Sequence, residues 1–140
     1  MSNITTTIEQ SKELVRLGLD PKTADMSYSE EYFGRDENGN DDWCWRLNAC
    51  RFIDVEGIIP AWSLSALLEV IPKECEPDIQ KSPISGVYFA HWFADGKPYI
   101  TDDHGNAVAA AYEMVCWLLE QGLIKKGDSD ERGRNDTKLD

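Results

Sequence analysis

The amino-acid sequence predicts an α+β domain in which three helices pack on a small antiparallel sheet. Apolar residues recur at helical spacing in three segments, and an alternating run at about residues 87–101 contains Asp95-Gly96, a strong β-hairpin signal. The chain has 140 residues, 41% hydrophobic and 29% charged, which is typical of one globular domain. We therefore expect a single domain over residues 1–124 and a charged, flexible tail over residues 125–140.

The first helix is predicted at about residues 6–17. Thr6 and Glu9 have the spacing of a capping box, in which each side chain accepts a hydrogen bond from a backbone amide at the helix start. Gly18 suits the position just after a helix end, and Pro21 prevents the helix from continuing.

The following segment, at about residues 20–42, is strongly acidic. It holds eight acidic and two basic residues, together with glycine and asparagine, and we interpret it as a solvated loop. The acidity favours solubility, or alternatively an acidic face that binds a basic partner or mimics a phosphate backbone. Calcium binding is not expected, because the string that begins at Asp36 has Asp41 and Leu47 where an EF-hand needs glycine and glutamate.

Two short strands are predicted next. Trp43, Trp45 and Leu47 alternate with polar residues or cysteine, and residues 51–55 form a second β-like run before Gly57. We expect these two runs to pair as a hairpin.

The second helix is predicted between Pro60 and Pro72, since proline is accepted in the first turn and ends a helix that it follows. Four apolar residues lie at i, i+3, i+4 and i+7 and form one face. They are Leu64, Leu67, Leu68 and Ile71.

The best strand in the sequence is residues 87–94, which is apolar on both faces and therefore expected to be central. Its predicted partner is residues 99–101, near a sheet edge because Pro98 lacks an amide donor. The third helix is expected at about residues 106–121, capped by Asp103 or Asn106. Trp117, opposite the main apolar face of that helix, is the best candidate for an exposed interface anchor.

Candidate chemistry is sparse. His91, His104, Asp102 and Asp103 are the candidates for acid–base catalysis, and the alternative that we favour is that they serve as turn, cap and sheet residues. No metal ligand set, nucleotide loop or catalytic triad is apparent, so we assign no catalytic, cofactor-binding or metal residues. The four cysteines are expected to be free thiols.

Several classes of protein are disfavoured by composition. No apolar run approaches the roughly 20 residues of a membrane span, and residues 1–10 lack the features of a secretory signal. A net charge of -12 opposes direct nucleic-acid binding, because phosphates would be repelled. We expect a cytoplasmic protein that binds another protein and does not bind membranes.

Three stretches together resemble a group of small proteins carried by prophages and other mobile elements in gut bacteria of the Bacteroides group. They are residues 18–26 (GLDPKTADM), 59–68 (IPAWSLSALL) and 110–120 (AAYEMVCWLLE). The resemblance covers most of residues 6–124, whereas the acidic insert at 30–42 and the tail after 124 depart from it. It implies a cytoplasmic protein made in a bacterial host, and it brings no activity, cofactor or catalytic residue.

The leading functional hypothesis is a non-enzymatic accessory or interaction protein of a phage or mobile element. One alternative is a small enzyme that uses His91, His104 and Asp102 or Asp103. Another is an acidic inhibitor of a nucleic-acid-binding host defence protein. A pocket that joins the histidines would favour the enzyme, and an apolar-rimmed acidic surface would favour binding.

Overall fold

Mixed helices and strands make up residues 4–50 and 56–126, which the computed structural model describes. The helices are α1 (Ile8–Arg16), α2 (Leu64–Glu69) and α3 (Ala107–Glu120), and short 3₁₀ turns lie at Pro21–Thr23 and Lys73–Cys75. The strands are β1 (Met26–Arg35), β2 (Asp41–Asn48), β3 (Ile59–Ala61), β4 (Asp78–Lys81), β5 (Tyr88–Ala94) and β6 (Lys97–Ile100). They form two antiparallel sheets, ordered β2-β1-β3 and β4-β5-β6.

The α+β class is thus as predicted, but the described strands form two three-stranded sheets where one small sheet was expected. The additional sheet arises from the acidic segment. Residues 20–42 were interpreted as a loop, yet most of them belong to β1, the turn after it and the start of β2. Aromatic residues with high strand propensity alternate with serine and glutamate along β1, and this pattern outweighs the charge.

β2 has a partner that was not predicted from the sequence. Its partner is β1, in a register that places Tyr32 opposite Trp43 and Tyr28 opposite Leu47. The register shifts between Tyr32 and Arg35, where a bulge bends the hairpin. The second run predicted to pair with β2, residues 51–55, lies outside the described part of the chain.

A five-residue turn joins β1 to β2. The carboxylate of Asp36 accepts hydrogen bonds from the amides of Asn38 and Asn40, each at 2.9 Å. Gly39 takes a φ of 83°, a conformation that glycine adopts without strain. The string that superficially resembles a calcium loop is therefore a hairpin turn held by its first aspartate.

The cap of the first helix lies one residue later than predicted, and α1 begins at Ile8. Thr7 caps it, since its hydroxyl accepts from the Gln10 amide at 3.1 Å while the Gln10 side chain accepts from the Thr7 amide at 2.9 Å. Thr6 is fully buried, and its hydroxyl accepts from the Trp62 amide. Thr6, which the local pattern predicts as the cap, thus makes a tertiary hydrogen bond to Trp62 instead.

The second sheet contains the predicted hairpin. β5 is its central strand, and the turn at Asp95-Gly96 has φ values of 54° and 78°, as a two-residue hairpin turn requires. Pro98 lies in the edge strand β6, as expected. One face of β5 is buried through Ala90, Trp92 and Ala94, whereas Phe93 on the other face is 41% exposed.

Helix α3 covers the buried face of this sheet. Asn106 caps the helix by accepting a hydrogen bond from the Ala109 amide at 2.8 Å, so Asn106 rather than Asp103 is the cap. Trp117, expected to be exposed, is half-buried because its ring lies 4.4 Å from that of Tyr99 and 5.4 Å from that of Trp92. It is therefore a packing residue between α3 and the hairpin.

Trp62 connects elements that are far apart in the sequence. Its side chain is fully buried, and its indole N–H donates to the Thr23 hydroxyl at 2.9 Å. Its carbonyl oxygen accepts from the Thr6 amide and from the Thr5 hydroxyl, each at 2.9 Å. One residue thereby fixes the start of α1, the Pro21–Thr23 turn and the β3–α2 connection together.

The apolar stripe of α2 predicts a sharp contrast in stability. Leu67 is fully buried, Leu68 is half-buried and Glu69 is exposed. Leu67→Ala should lower the free energy of unfolding by about 2–5 kcal/mol, because transfer and cavity terms add. Leu68→Ala should cost less, and Glu69→Ala about 0.5 kcal/mol or less. Urea denaturation of the three variants measures this, and equal losses would show that the stripe is not the core face.

The hydrogen bond to Trp62 gives a second test. Thr23→Val removes the acceptor and leaves a buried indole N–H without a partner, which should cost about 1–3 kcal/mol of stability. Thr23→Ser keeps the hydroxyl and should lose clearly less. If the two variants unfold at the same urea concentration, the hydrogen bond does not stabilise the fold.

Candidate functional site

The two histidines belong to separate local pairs. The imidazole Nε2 of His91 lies 3.2 Å from the Asp78 carboxylate and 3.1 Å from the Gln80 side-chain amide, both on β4. His91 points to the side of β5 opposite Ala90 and Trp92, since strand residues alternate. His104 instead contacts α3, through the Glu113 carboxylate at 2.6 Å. The two imidazoles therefore face opposite sides of the sheet.

The neighbouring aspartates do not complete a catalytic arrangement either. Asp102 and Asp103 are exposed, and the Asp102 amide donates to the same Glu113 carboxylate at 3.3 Å. Glu113, which was not singled out from the sequence, thus fixes the loop that leads into α3. Within residues 4–50 and 56–126, no group of three histidine, cysteine or acidic side chains could hold a metal ion.

Two of the cysteines are protected by packing. Burial raises the pKa of the Cys116 thiol to about 11, and burial followed by the nearby Glu74 charge raises the pKa of Cys75. A thiolate is the reactive form, so neither residue is a nucleophile at neutral pH. Cys44 and Cys50 are exposed free thiols, in agreement with the expectation of unpaired cysteines.

A cleft of about 920 Å³ lies beside α2. Its polar lining residues include Asp20, Asp25 and Glu69 on one side and Lys125 on the other. Cys50 and Lys126 also line it, and they are the last described residues before segments 51–55 and 127–140. Its outer boundary thus depends on residues outside the described part of the chain, and it defines no site.

The distal half of the β1–β2 hairpin is the most distinctive surface. Beyond Tyr28 and Leu47 the two strands contact mainly each other, and all residues from Arg35 to Arg46 are exposed. The register puts Tyr32, Trp43 and Trp45 on one side of the hairpin, which we call the aromatic face. These side chains are 48%, 56% and 43% exposed, and Phe33 near the bulge is 59% exposed.

The aromatic face is ordered by its own contacts. The rings of Tyr32 and Trp43 lie 5.0 Å apart at 51°, a tilted arrangement that favours aromatic pairs. The Tyr32 hydroxyl donates to the Asp41 carboxylate at 3.1 Å, and Glu30 lies directly opposite Trp45. The face thus presents half-exposed rings beside carboxylates in a fixed geometry.

The sequence predicted β2, one strand of this face, but β1, the other strand, was not predicted. Trp43 and Trp45 belong to a predicted strand, but most of the tryptophans were assigned to the core. Tyr28 and Tyr32 fall on one face of a strand, with Ser27, Ser29 and Glu31 on the other, and this alternation is the signal that would have placed β1 beside them. We interpreted that segment by its charge, and the pairing was missed.

Burial of the cysteines predicts a two-stage thiol titration. In the folded protein, Cys44 and Cys50 should react rapidly with a chromogenic disulfide reagent, whereas Cys75 and Cys116 should react only after unfolding. Absorbance with and without guanidinium, followed by peptide mapping, measures this. Rapid labelling of Cys116 in the native state would contradict the packing of α3.

Comparisons with known proteins complete the description of the site. Among the described residues, no helix is both long enough and apolar enough to cross a membrane. No protein-family model, no curated protein and no solved structure matches the chain.

Proposed function

We propose that this protein is a non-enzymatic interaction protein whose aromatic face binds a basic protein partner, and that it serves a phage or mobile element in the bacterial cytoplasm. The observation that carries the proposal is the β1–β2 hairpin, which extends past the core with its aromatic side chains about half exposed. The assignment to a mobile element is supported by the sequence resemblance.

The aromatic residues have the chemistry of a binding hot spot. Tryptophan and tyrosine dominate the energetics of protein interfaces because they bury a large area while losing little side-chain entropy. Three of them lie on one face here, and a cross-strand contact already holds Tyr32 against Trp43. Grouped apolar side chains on a surface indicate an interaction site, whereas isolated ones do not.

The charge around the rings selects the partner. The hairpin from residue 26 to residue 48 holds six carboxylates and two guanidiniums. Arg46 lies 3.1 Å from Glu31 and Arg35 lies 3.7 Å from Asp41, so most of the negative charge is not balanced within the hairpin. Arginine or lysine of a partner would meet both carboxylates and the faces of indole rings, which attract cations. Nucleic acid and anionic lipid would be repelled.

The alternatives have weaker support. An enzyme that uses His91, His104 and Asp102 or Asp103 needs these groups to converge, and they lie in two separate pairs. An acidic inhibitor of a nucleic-acid-binding defence protein is a special case of the proposal, since such a protein presents a basic surface. The carboxylate excess of the hairpin favours it over the enzyme.

The proposal is tested by affinity capture from a Bacteroides-group host, followed by titration with the purified partner. Trp43→Ser/Trp45→Ser should weaken binding by about tenfold or more, because both substitutions remove hot-spot side chains. Ile84→Ser/Ile100→Ser, at residues 95% and 65% exposed, is the matched control and should bind like the wild type.

A His91→Gln/His104→Gln variant separates the two classes of function. It should bind the partner normally, since neither imidazole lies on the hairpin. Binding that survives loss of both tryptophans, or a measurable turnover that disappears with the histidines, would contradict the proposal.

A further inference from the structure

The outer edge of β2 is open in the described residues. β2 lies at one end of the order β2-β1-β3, and no strand within residues 4–50 and 56–126 pairs with its outer side. Such an edge presents a row of backbone donors and acceptors, and it is a template for another strand. β2 is eight residues long and contains no proline, so nothing in its backbone prevents pairing.

The side chains of this edge are complementary to themselves. Around Cys44 the sequence reads Asp42, Trp43, Cys44, Trp45, Arg46, with opposite charges at the two ends and a tryptophan on each side of the centre. If two copies pair antiparallel with Cys44 opposite Cys44, then Asp42 faces Arg46 and Trp43 faces Trp45. The two-fold axis forms each of these pairs twice.

We propose that two copies of this chain associate through β2 in this register and form one six-stranded antiparallel sheet. Opposite-charge and aromatic pairs across strands are the interactions that stabilise antiparallel pairing. Arg46 also lies 3.1 Å from Glu31 of β1, on the inner side of β2, so the Asp42 carboxylate of the other copy would share this guanidinium with Glu31. The occupant of the edge is a second copy, because the pattern of β2 matches its own reverse.

The register is specific. Centring the pairing on Trp43 would place Asp42 opposite Cys44, and centring it on Trp45 would place Arg46 opposite Cys44. In both cases the opposite charges are separated. A slip of one residue in one strand would also exchange the two sheet faces. The register centred on Cys44 therefore pairs both charges and both tryptophans.

Association in this geometry leaves the sheet faces open. Trp43 and Trp45 of both copies would lie side by side on one surface, which doubles the aromatic face. The association is a property of the edge and stands whether or not the aromatic face binds a basic protein. Each chain carries a net charge of -12, so electrostatic repulsion between the two copies opposes association. We therefore expect the association to be reversible.

Sedimentation velocity of the full chain over a wide concentration range tests the proposal. The wild type should reach twice the mass of the 15.9 kDa chain. Asp42→Arg places like charges opposite each other twice and should raise the dimer Kd about tenfold or more. Asp42→Arg/Arg46→Asp restores the pairs in reverse and should recover most of the affinity. Glu37→Arg, an equal change in charge in the turn, should leave the Kd within a few-fold of the wild-type value.

Cross-linking with a short bismaleimide tests the register separately. Cys44→Ser should abolish the covalent dimer, whereas Cys50→Ser, at the other exposed thiol, should retain it. All five substituted positions are exposed, and circular dichroism should show unchanged folding. A wild type that stays monomeric at every concentration would overturn the proposal. So would a double variant as weak as Asp42→Arg, or a cross-link through Cys50.

Discussion

The complete burial of Trp62, with its amide, carbonyl and indole N–H all hydrogen-bonded, is the constraint on which the rest of the fold depends. A buried polar group without a partner is costly, so the start of α1 and the Pro21–Thr23 turn must both reach this residue. Asp25 adds to the same junction, because its carboxylate accepts from the amide and the hydroxyl of Ser63, the cap of α2. Elements far apart in sequence, namely α1, the Pro21–Thr23 turn and the β3–α2 connection, are thereby fixed at one point.

The hairpin that carries the proposed function is anchored at this junction, and its distal half makes few other contacts with the described residues. At its base, the Tyr28 hydroxyl donates to the Thr6 carbonyl at 2.7 Å, and the buried Ser27 hydroxyl donates to the Cys50 carbonyl at 2.7 Å. Past this base the strands contact mainly each other. The aromatic residues there add little to the core, so substitutions on the aromatic face separate binding from stability more cleanly than substitutions elsewhere in the chain would.

Local structure was predictable where the sequence pattern and the tertiary contacts agree. The turn at Asp95-Gly96, the central strand β5 and the bounds of α3 followed from spacing and turn residues alone. The cap of α1 was displaced by one residue because Thr6 is used by Trp62, and no local pattern encodes a contact between residues 56 positions apart. Trp117 was misjudged for a similar reason, since the aromatic residues that cover it, Trp92 and Tyr99, come from β5 and β6 and not from its own helix.

The candidate site was less predictable than the fold. Acidic composition is typical of a loop, but β1 combines that charge with an alternation of aromatic and polar side chains. The alternation determines which side chains share a face of the strand, and it is therefore the better predictor of secondary structure. The charge determines how the surface of that strand interacts with solvent and with other molecules. The histidines illustrate the converse, because two groups near each other in the predicted hairpin lie on opposite faces once the pleat is built.

The acidity of the hairpin also affects how β2 pairs with other strands, since no other strand of residues 4–50 and 56–126 covers its outer edge. Long, apolar edges invite unspecific pairing, and charged residues on or beside an edge oppose it. Asp41 and Asp42 at the start of β2 oppose pairing with another acidic segment, and the net charge of -12 adds repulsion at longer range. Arg46 is the exception on this strand, and its position opposite Asp42 in one symmetric register makes that register the least repulsive. In the proposed function, the charge on this hairpin would therefore exclude acidic partners, and the aromatic side chains would supply the affinity for basic ones.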